Sequence, residues 1–320
     1  MAVGEGVEPG GIDGASGDEG VGGGAADEEL GGEIAGAAVV DLDGVDEEVA
    51  EFQAVRAEPD PVRRAKRATD LLVVYQQRST ELARLRRVAI EQAARDRGMT
   101  MAAVAGEIGL SKGRITQIRQ SAPPPERVLF GVGPVTVAVP ARQVAERGLP
   151  VISAEDSIAA EQLTVQLVGL GFVVQQYRIP VGGRWEPVGD VVAICGPKSS
   201  PVTAEALAAD PLLEFVAEGT GRFGITDRAG GRRYLSGLDD DEPTPCDVAY
   251  LGRLPYRGAS IFIVAGVHAI GSVGAVHYLA GHAAEVYQAV GDGYWSAVIA
   301  STHDAGTITR SEVACPPRRH

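Results

Sequence analysis

The spacing of hydrophobic and polar residues divides the chain into three stretches that predict different structures. Before about residue 45 the sequence has no apolar periodicity. From Pro61 to Arg97 apolar residues recur at steps of three and four, which is typical of a helix, with Asp60 suited to its start and Gly98 to its end. From residue 135 onward, short apolar runs alternate with helical segments, which predicts strands separated by helices.

The first 44 residues are mostly glycine, alanine, aspartate and glutamate. Such a segment buries too little apolar surface to offset the entropy of ordering it, so residues 1–44 are predicted to be disordered, with a helix beginning near Val45. The start has no basic cluster followed by an apolar run, so no signal peptide is expected. Cys195, Cys246 and Cys315 are scattered and odd in number, which argues against a disulfide framework and suits the cytoplasm.

The charge of the chain is distributed in blocks. Its net charge is −14, but residues 1–60 carry −16 (17 acidic, one basic) and residues 61–128 carry +8 (14 basic, six acidic). Residues 129–320 carry −6 (14 basic, 20 acidic). A basic middle between two acidic parts suggests that the middle binds nucleic acid.

Residues 100–120 have the pattern of a helix-turn-helix within a helical region, 45–121. Ala105 supplies the small residue where two helices touch, and Gly109 accepts the positive φ of the turn. Ile115 and Ile118 pin the inner face of the second helix, while three apolar residues are expected to fill the core between the helices: Val104, Ile108 and Leu110.

The remaining side chains of the second helix are available to DNA. Arginine and glutamine pair with base edges in the major groove, whereas lysine and serine suit phosphates. The candidate DNA-binding residues are Ser111, Lys112, Arg114, Thr116, Gln117 and Arg119. The alternative is an internal helical pair that contacts no DNA, and the basic charge of the segment argues against it.

Residues 80–121, about an eighth of the chain, resemble the fourth region of bacterial sigma factors and related helix-turn-helix regulators. The resemblance is carried by Leu110, Ser111, Arg114, Ile115, Gln117 and Ile118. It implies binding to double-stranded DNA, but not sigma activity, because nothing in the chain looks like the polymerase-binding second region. The long helix over residues 61–97 either packs on its own domain with a solvated basic face or pairs in a homodimer. It has no strict heptad, and its partial apolar stripe consists of Leu71, Val74, Tyr75, Leu82, Leu85, Ala89 and Ala93.

Three consecutive prolines indicate a linker over residues 122–134. Beyond it, residues 135–310 predict a mostly parallel, Rossmann-like α/β domain with helices on both faces, a hairpin insertion at 213–236, and a tail at 311–320. Strands are expected at Val135–Val139, Phe172–Ile179, Val191–Cys195, Ser260–Ala265 and Trp295–Ala300.

Two loops of this domain each follow an apolar strand and precede a helix. The carboxyl ends of parallel strands are where ligands usually bind, and glycines let a phosphate approach the backbone. The candidate ligand-binding residues are Gly196, Lys198, Ser199, Ser200, Gly266, His268, Gly271 and Ser272. The loops loosely resemble those of nucleotide-binding Rossmann-like sensor domains, which implies phosphate contact; the alternative is that the glycines only serve tight turns.

No arrangement of residues predicts a reaction class, a metal site or a bound cofactor. The acidic run at residues 239–242 is expected to be a solvated loop. Residues 260–280 lack Asp, Glu, Lys and Arg, but their glycines and two histidines predict a strand, a loop and a helix start rather than a membrane span.

The sequence therefore predicts a cytoplasmic, multidomain α and α/β transcriptional regulator that binds DNA and senses a nucleotide or another phosphorylated ligand. Two alternatives stay open: a DNA-tethered enzyme that processes nucleotides, and an architectural protein whose C-terminal domain binds a protein partner.

Overall fold

A computed structural model describes residues 42–146, 148–217 and 221–320. The described residues divide into two units, one that ends at Arg56 and a compact one over Ala57–His320. Helix α1 (Leu42–Ala57) begins near the position expected from the sequence. The disorder predicted for residues 1–44 falls almost entirely outside the described residues and stays a prediction.

The second unit begins with three helices: α2 (Pro61–Asp96), α3 (Met101–Glu107) and α4 (Lys112–Ser121). Each is capped by a side-chain oxygen that accepts a hydrogen bond from the backbone N–H three residues later. The acceptor is Asp60 Oδ1 for α2 at 2.7 Å, Thr100 Oγ1 for α3 at 3.2 Å and Ser111 Oγ for α4 at 3.2 Å. Gly98 and Gly109, both at positive φ, separate the helices. The long helix and the helix pair predicted from the sequence are therefore present.

The helix pair packs through a small apolar core on the C-terminal half of α2. Its buried members are Ile90, Val104, Ala105, Ile115 and Ile118. The prediction that Ile108 joins this core is wrong, since the side chain is 46% exposed. Ile108 is the C-cap of α3, where the chain leaves the helical path, so its side chain no longer follows the inner face.

In the middle of α2, polar side chains are buried and leucines of the predicted apolar stripe are exposed. Gln77, Glu81 and Arg84 are buried, whereas Leu82 is 66% and Leu85 47% exposed. Arg84 Nε lies 2.9 Å from Glu81 Oε2, and Arg84 Nη2 lies 2.6 Å from Glu81 Oε1. This face of α2 is thus held by charged groups that satisfy one another.

A fully buried arginine, Arg127, joins α2 to the α/β part. Its Nη2 donates to Gln77 Oε1 and to the Val132 carbonyl, both at 2.9 Å. Its guanidinium lies 3.7 Å from the centre of the Phe172 ring, and its Nη1 lies 3.6 Å from Glu81 Oε2. Burial lowers the pKa of Arg127, and the charge of Glu81 opposes that effect.

The segment predicted as a linker, 122–134, is folded against its neighbours. Residues Pro125–Phe130 form a 3-10 helix that buries Arg127, Leu129 and Phe130. Phe130 stacks 5.0 Å from Phe262 of the sheet. The prolines therefore lead into a packed connection rather than a free spacer.

One seven-stranded sheet, in the order β10-β9-β7-β8-β3-β1-β2, forms the centre of the α/β part. Its strands are β1 (Val135–Pro140), β2 (Val174–Ile179), β3 (Asp190–Ile194), β7 (Cys246–Tyr256), β8 (Ala259–Gly266), β9 (Trp295–Asp304) and β10 (Thr307–Arg319). The β1–β2, β1–β3 and β3–β8 pairs are parallel, and the β7–β8, β7–β9 and β9–β10 pairs are antiparallel. The sheet is mixed, so the prediction of a mostly parallel sheet is wrong.

The difference comes from two strands that the sequence pattern does not reveal. β7 contains Gly252 and Pro255, and it joins β8 through a two-residue turn, Arg257 and Gly258, both at positive φ. β10 includes residues 311–319 of the predicted tail and pairs with β9, and one of its register shifts spans Pro316 and Pro317. Proline is tolerated there because β10 is an edge strand.

Both faces of the sheet are covered. Helices α5 (Ala154–Gly169) and α7 (Ala269–Val290) share one core with the strands. Helix α6 (Pro201–Ala208) lies on the other face with a small antiparallel sheet, which replaces the expected hairpin insertion and consists of β4 (Leu213–Ala217), β5 (Phe223–Asp227) and β6 (Arg233–Leu235). No helix in the described part of the chain is long and apolar enough to cross a membrane.

Candidate functional site

Helix α4 presents a polar surface opposite its buried isoleucines. All six residues proposed from the sequence to bind DNA are exposed: Ser111, Lys112, Arg114, Thr116, Gln117 and Arg119. Ile115 and Ile118 on the opposite side are 1% and 2% exposed. The alternation fixes which face of α4 meets solvent.

The contacts of these six side chains differ. Arg114 Nη1 donates to Gln117 Oε1 at 2.6 Å, so the two form one exposed pair. Lys112 has no carboxylate within ion-pair distance among the described residues. Ser111 caps α4, and Thr116 donates to the Lys112 carbonyl at 3.2 Å, so both hydroxyls already serve the helix.

Arg119 is turned toward α2. Its Nε donates to Glu91 Oε1 at 3.3 Å, and Arg87 Nε donates to the same oxygen at 3.3 Å. Arg87 Nη1 also donates to the Ala122 carbonyl just after α4, at 3.3 Å. These contacts orient α4 on α2, so Arg119 positions the helix, and Lys112, Arg114 and Gln117 are the side chains best placed for a partner.

A crevice lies at the carboxyl ends of β1, β3 and β8. These strands are parallel neighbours, so their carboxyl ends meet at one edge. After β1 the chain passes to α5 on one face of the sheet, and after β3 it passes to α6 on the other. Because the chain leaves β1 and β3 in opposite directions, a crevice opens between them, where open α/β sheets usually bind ligands.

The crevice contains a cavity of about 320 Å³. Six of the eight residues proposed from the sequence to bind a ligand line it: Gly196, Lys198, Ser199, Gly266, His268 and Ser272. A second cavity of about 500 Å³ adjoins it and is lined by Ser200. Both cavities are lined by Arg142, Pro197, Lys198 and Ser199, so these residues form their common border.

Lys198 is one of the two exposed cations of this border. Its Nζ lies 3.8 Å from the centre of the Phe223 ring. Burial lowers the pKa of Lys198, while the negative charges of Asp239 and Asp247 act in the opposite direction. Among the described residues no carboxylate lies within ion-pair distance of Lys198, so its charge is available to a ligand.

Arg142 and Asp156 complete the crevice, and sequence reasoning missed both. Arg142 Nη2 lies 3.0 Å from Asp156 Oδ2, with the arginine side chain 48% and the aspartate 4% exposed. Burial raises the pKa of Asp156, and Ser153 and Arg142 oppose that effect. The only sequence signal is the position of Arg142 just after β1 and of Asp156 in the first turn of α5, where an acidic residue is common.

The glycine loop after β8 is shaped by packing within the protein. The amides of His268 and Gly271 donate to Asp247 Oδ2 at 3.0 Å and 2.9 Å, and the Gly266 amide donates to Ser272 Oγ at 2.9 Å. A Cβ on Gly271 would lie 2.8 Å from the Val248 carbonyl oxygen. Gly271 lines neither cavity, and the close packing of α7 on β7 explains why this position is a glycine.

Ser200 also has a structural role. It is 1% exposed, and its Oγ caps α6 by accepting from Val202 N at 3.2 Å while donating to the Gly183 carbonyl at 2.8 Å. Cys195, just after β3, is buried, and burial raises the pKa of this thiol to about 12. A thiol with such a pKa is a poor nucleophile at neutral pH.

His268 faces the cavity from the α7 side. Its Nε2 lies 3.0 Å from Asp239 Oδ1, which belongs to the acidic run expected to be only a solvated loop. His268 thus lines the cavity with one ring nitrogen already engaged by a carboxylate.

Within the described residues, no group of three or more His, Cys, Asp and Glu side chains is placed to hold a metal ion. Comparison of the chain with models of protein families, with curated proteins and with solved structures finds no match. The surface of α4 and the crevice are thus the two candidate sites of the chain.

Proposed function

We propose that this protein is a cytoplasmic transcriptional regulator that binds double-stranded DNA through α4. The observation that carries the proposal is the exposed set of Lys112, Arg114 and Gln117 on a helix whose other side is pinned by buried isoleucines. An α-helix with its side chains fits the major groove, which is about 12 Å wide. The resemblance of residues 80–121 to sigma-factor region 4 supports the same placement.

Each of the three side chains has a chemical role in this proposal. Arg114 and Gln117 carry donors that match guanine and adenine edges, and the hydrogen bond between them sets their relative orientation. Lys112 at the first turn of α4 meets a phosphate. Pairing of α2 between two copies stays a prediction, which analytical ultracentrifugation would test.

Replacing Lys112 by Gln is expected to weaken binding to all duplexes by a similar factor. Loss of one phosphate contact should reduce the slope of log affinity against log salt by about 1. Fluorescence anisotropy with a labelled random-sequence duplex at several salt concentrations measures this slope. The matched control is Arg310→Gln, which removes the same charge from an exposed side chain of β10.

Absence of DNA binding by the unmodified chain at low salt would contradict the proposal itself. A salt slope that changes equally in Lys112→Gln and in Arg310→Gln would instead mean that only the total charge matters.

Removing residues 1–41 is expected to tighten DNA binding at low salt. This segment carries ten acidic and no basic side chains, so it repels DNA or competes with it for the basic helices. The gain should shrink as salt rises, because screening shortens the range of the repulsion to about 3 Å at 1 M. Equal affinities of the two chains at low salt would exclude an inhibitory role for the segment.

A further inference from the structure

We propose that the crevice binds a small phosphate monoester, with the phosphate between Lys198 and Arg142 and the organic group in the 320 Å³ cavity. This inference goes beyond DNA binding and does not depend on it. Four observations support the proposal: the positive charge at the border of the two cavities, the contacts that orient Arg142 and Lys198, the match of these groups to the oxygens of a phosphate, and the size of the cavity.

Two cations lie at the border between the two cavities. Lys198, Arg142 and Ser199 line both cavities, and Asp156, which pairs with Arg142, lines only the 320 Å³ cavity. Among the described residues that line the 500 Å³ cavity there are two cations and no carboxylate. An anion at the border therefore meets positive charge from the loop after β1 and from the loop after β3.

Arg142 and Lys198 are oriented by different contacts. Arg142 is fixed by one hydrogen bond, from Nη2 to the buried Asp156 at 3.0 Å, which leaves its other N–H groups as donors. Lys198 is placed over the Phe223 ring, a contact that orients the ammonium without neutralising it. The crevice thus offers the oriented guanidinium of Arg142, with several N–H donors, and the ammonium of Lys198, which has no carboxylate partner among the described residues.

A phosphate monoester fits this arrangement better than a carboxylate does. Its terminal oxygens point in three directions, so they can meet a guanidinium, an ammonium and the Ser199 hydroxyl at once. A carboxylate has two oxygens in one plane, which the guanidinium alone would satisfy. Charge-assisted hydrogen bonds to both cations also favour the dianion over a singly charged group.

The remaining part of the ligand is limited by the 320 Å³ cavity, which is near the lower end of the usual range for ligand sites. Phe215 and Val267 give the cavity an apolar wall, and His268 adds a polar ring. A flat or compact organic group with a hydroxyl or amine suits this lining.

Titration of the full chain with phenyl phosphate, inorganic phosphate and phenol tests the proposal by calorimetry. Phenyl phosphate should bind more tightly than inorganic phosphate, and phenol should show no saturable binding. Lys198→Gln should weaken phenyl phosphate at least about tenfold, because it removes a charged hydrogen-bond donor. Arg142→Gln should weaken it as well, whereas Lys112→Gln on α4 should leave it unchanged.

Equal affinity of phenyl phosphate for Lys198→Gln and the unmodified chain would overturn the proposal, as would phenol binding as tightly as phenyl phosphate. A loss of phosphate binding in Lys112→Gln but not in Lys198→Gln would place the anion on the DNA-binding surface and also overturn it. DNA affinity of Lys198→Gln, measured in parallel without phosphate, should not change. A result that contradicts the phosphate site is therefore distinguishable from a result that contradicts DNA binding.

Discussion

Replacing Glu81 by Gln is expected to lower the free energy of unfolding by about 3–5 kcal/mol, the range for breaking a buried ion pair. Glu81 is the carboxylate that two buried guanidinium groups share: Arg84 Nη2 lies 2.6 Å and Arg127 Nη1 3.6 Å from its oxygens. The side chains of Arg84 and Arg127 are 4% and 0% exposed, so the substitution leaves two cations in a place that water does not reach. Urea denaturation followed by tryptophan fluorescence measures the change.

Glu91 on the same helix provides the control. It also contacts two arginines, Arg87 and Arg119, but its side chain is 27% exposed, and theirs are 25% and 47% exposed. Glu91→Gln is therefore expected to change stability by less than about 1 kcal/mol, as exposed ion pairs do. Equal effects of the two substitutions would show that the ion pairs of Glu81 with Arg84 and Arg127 do not hold α2 on the α/β part.

Replacing Arg114 by Ala is expected to weaken binding to a preferred DNA site by about 1–3 kcal/mol, the range for one bidentate base contact. Binding to unrelated sequences should change less, so the specificity ratio falls. A preferred site is first obtained by selection from a randomised duplex pool, and competition titrations with that site then measure the loss.

Arg114 and Gln117 should behave as a unit in this experiment. Because Arg114 Nη1 donates to Gln117 Oε1 at 2.6 Å, removing either side chain frees the other from its orientation. The double variant is therefore expected to lose less than the sum of the two single variants. Arg119→Ala, whose guanidinium is held by Glu91, should leave the base preference intact; unchanged base preferences in Arg114→Ala and Gln117→Ala would assign the reading surface elsewhere.

Local signals in the sequence predict local structure in this chain. The N-caps at Asp60, Thr100 and Ser111 and the turn at Gly109 depend on residues within a few positions, so the helices follow from them. β7 escapes prediction because Gly252 and Pro255 interrupt its apolar pattern, although its pairing with β8 and β9 on both sides stabilises it. Such pairing joins distant residues and leaves no local trace.

The candidate sites likewise combine residues that local sequence predicts with residues that only the topology brings together. The sequence places Lys198 and His268 at strand ends, and the parallel order of β3 and β8 brings their loops to one cavity. Which side chains oppose them depends on the topology: Arg142 reaches the crevice because β1 lies beside β3. The polar face of α2 was equally hidden, because Glu81 is buried only where Arg127 of a later segment meets it.

The contacts that hold α2 on the α/β part lie near the amino ends of β1, β2 and β3. The crevice lies at the other end of the sheet, at the carboxyl ends of β1 and β3. Gln77 donates to the Gly171 carbonyl before β2, and the amides of Val132 and Gly133 before β1 donate to Asp190 at the start of β3. Among the described residues, the loops after β1 and β3 donate none of these hydrogen bonds. The crevice loops can therefore be exchanged for others without removing the contacts that hold α2.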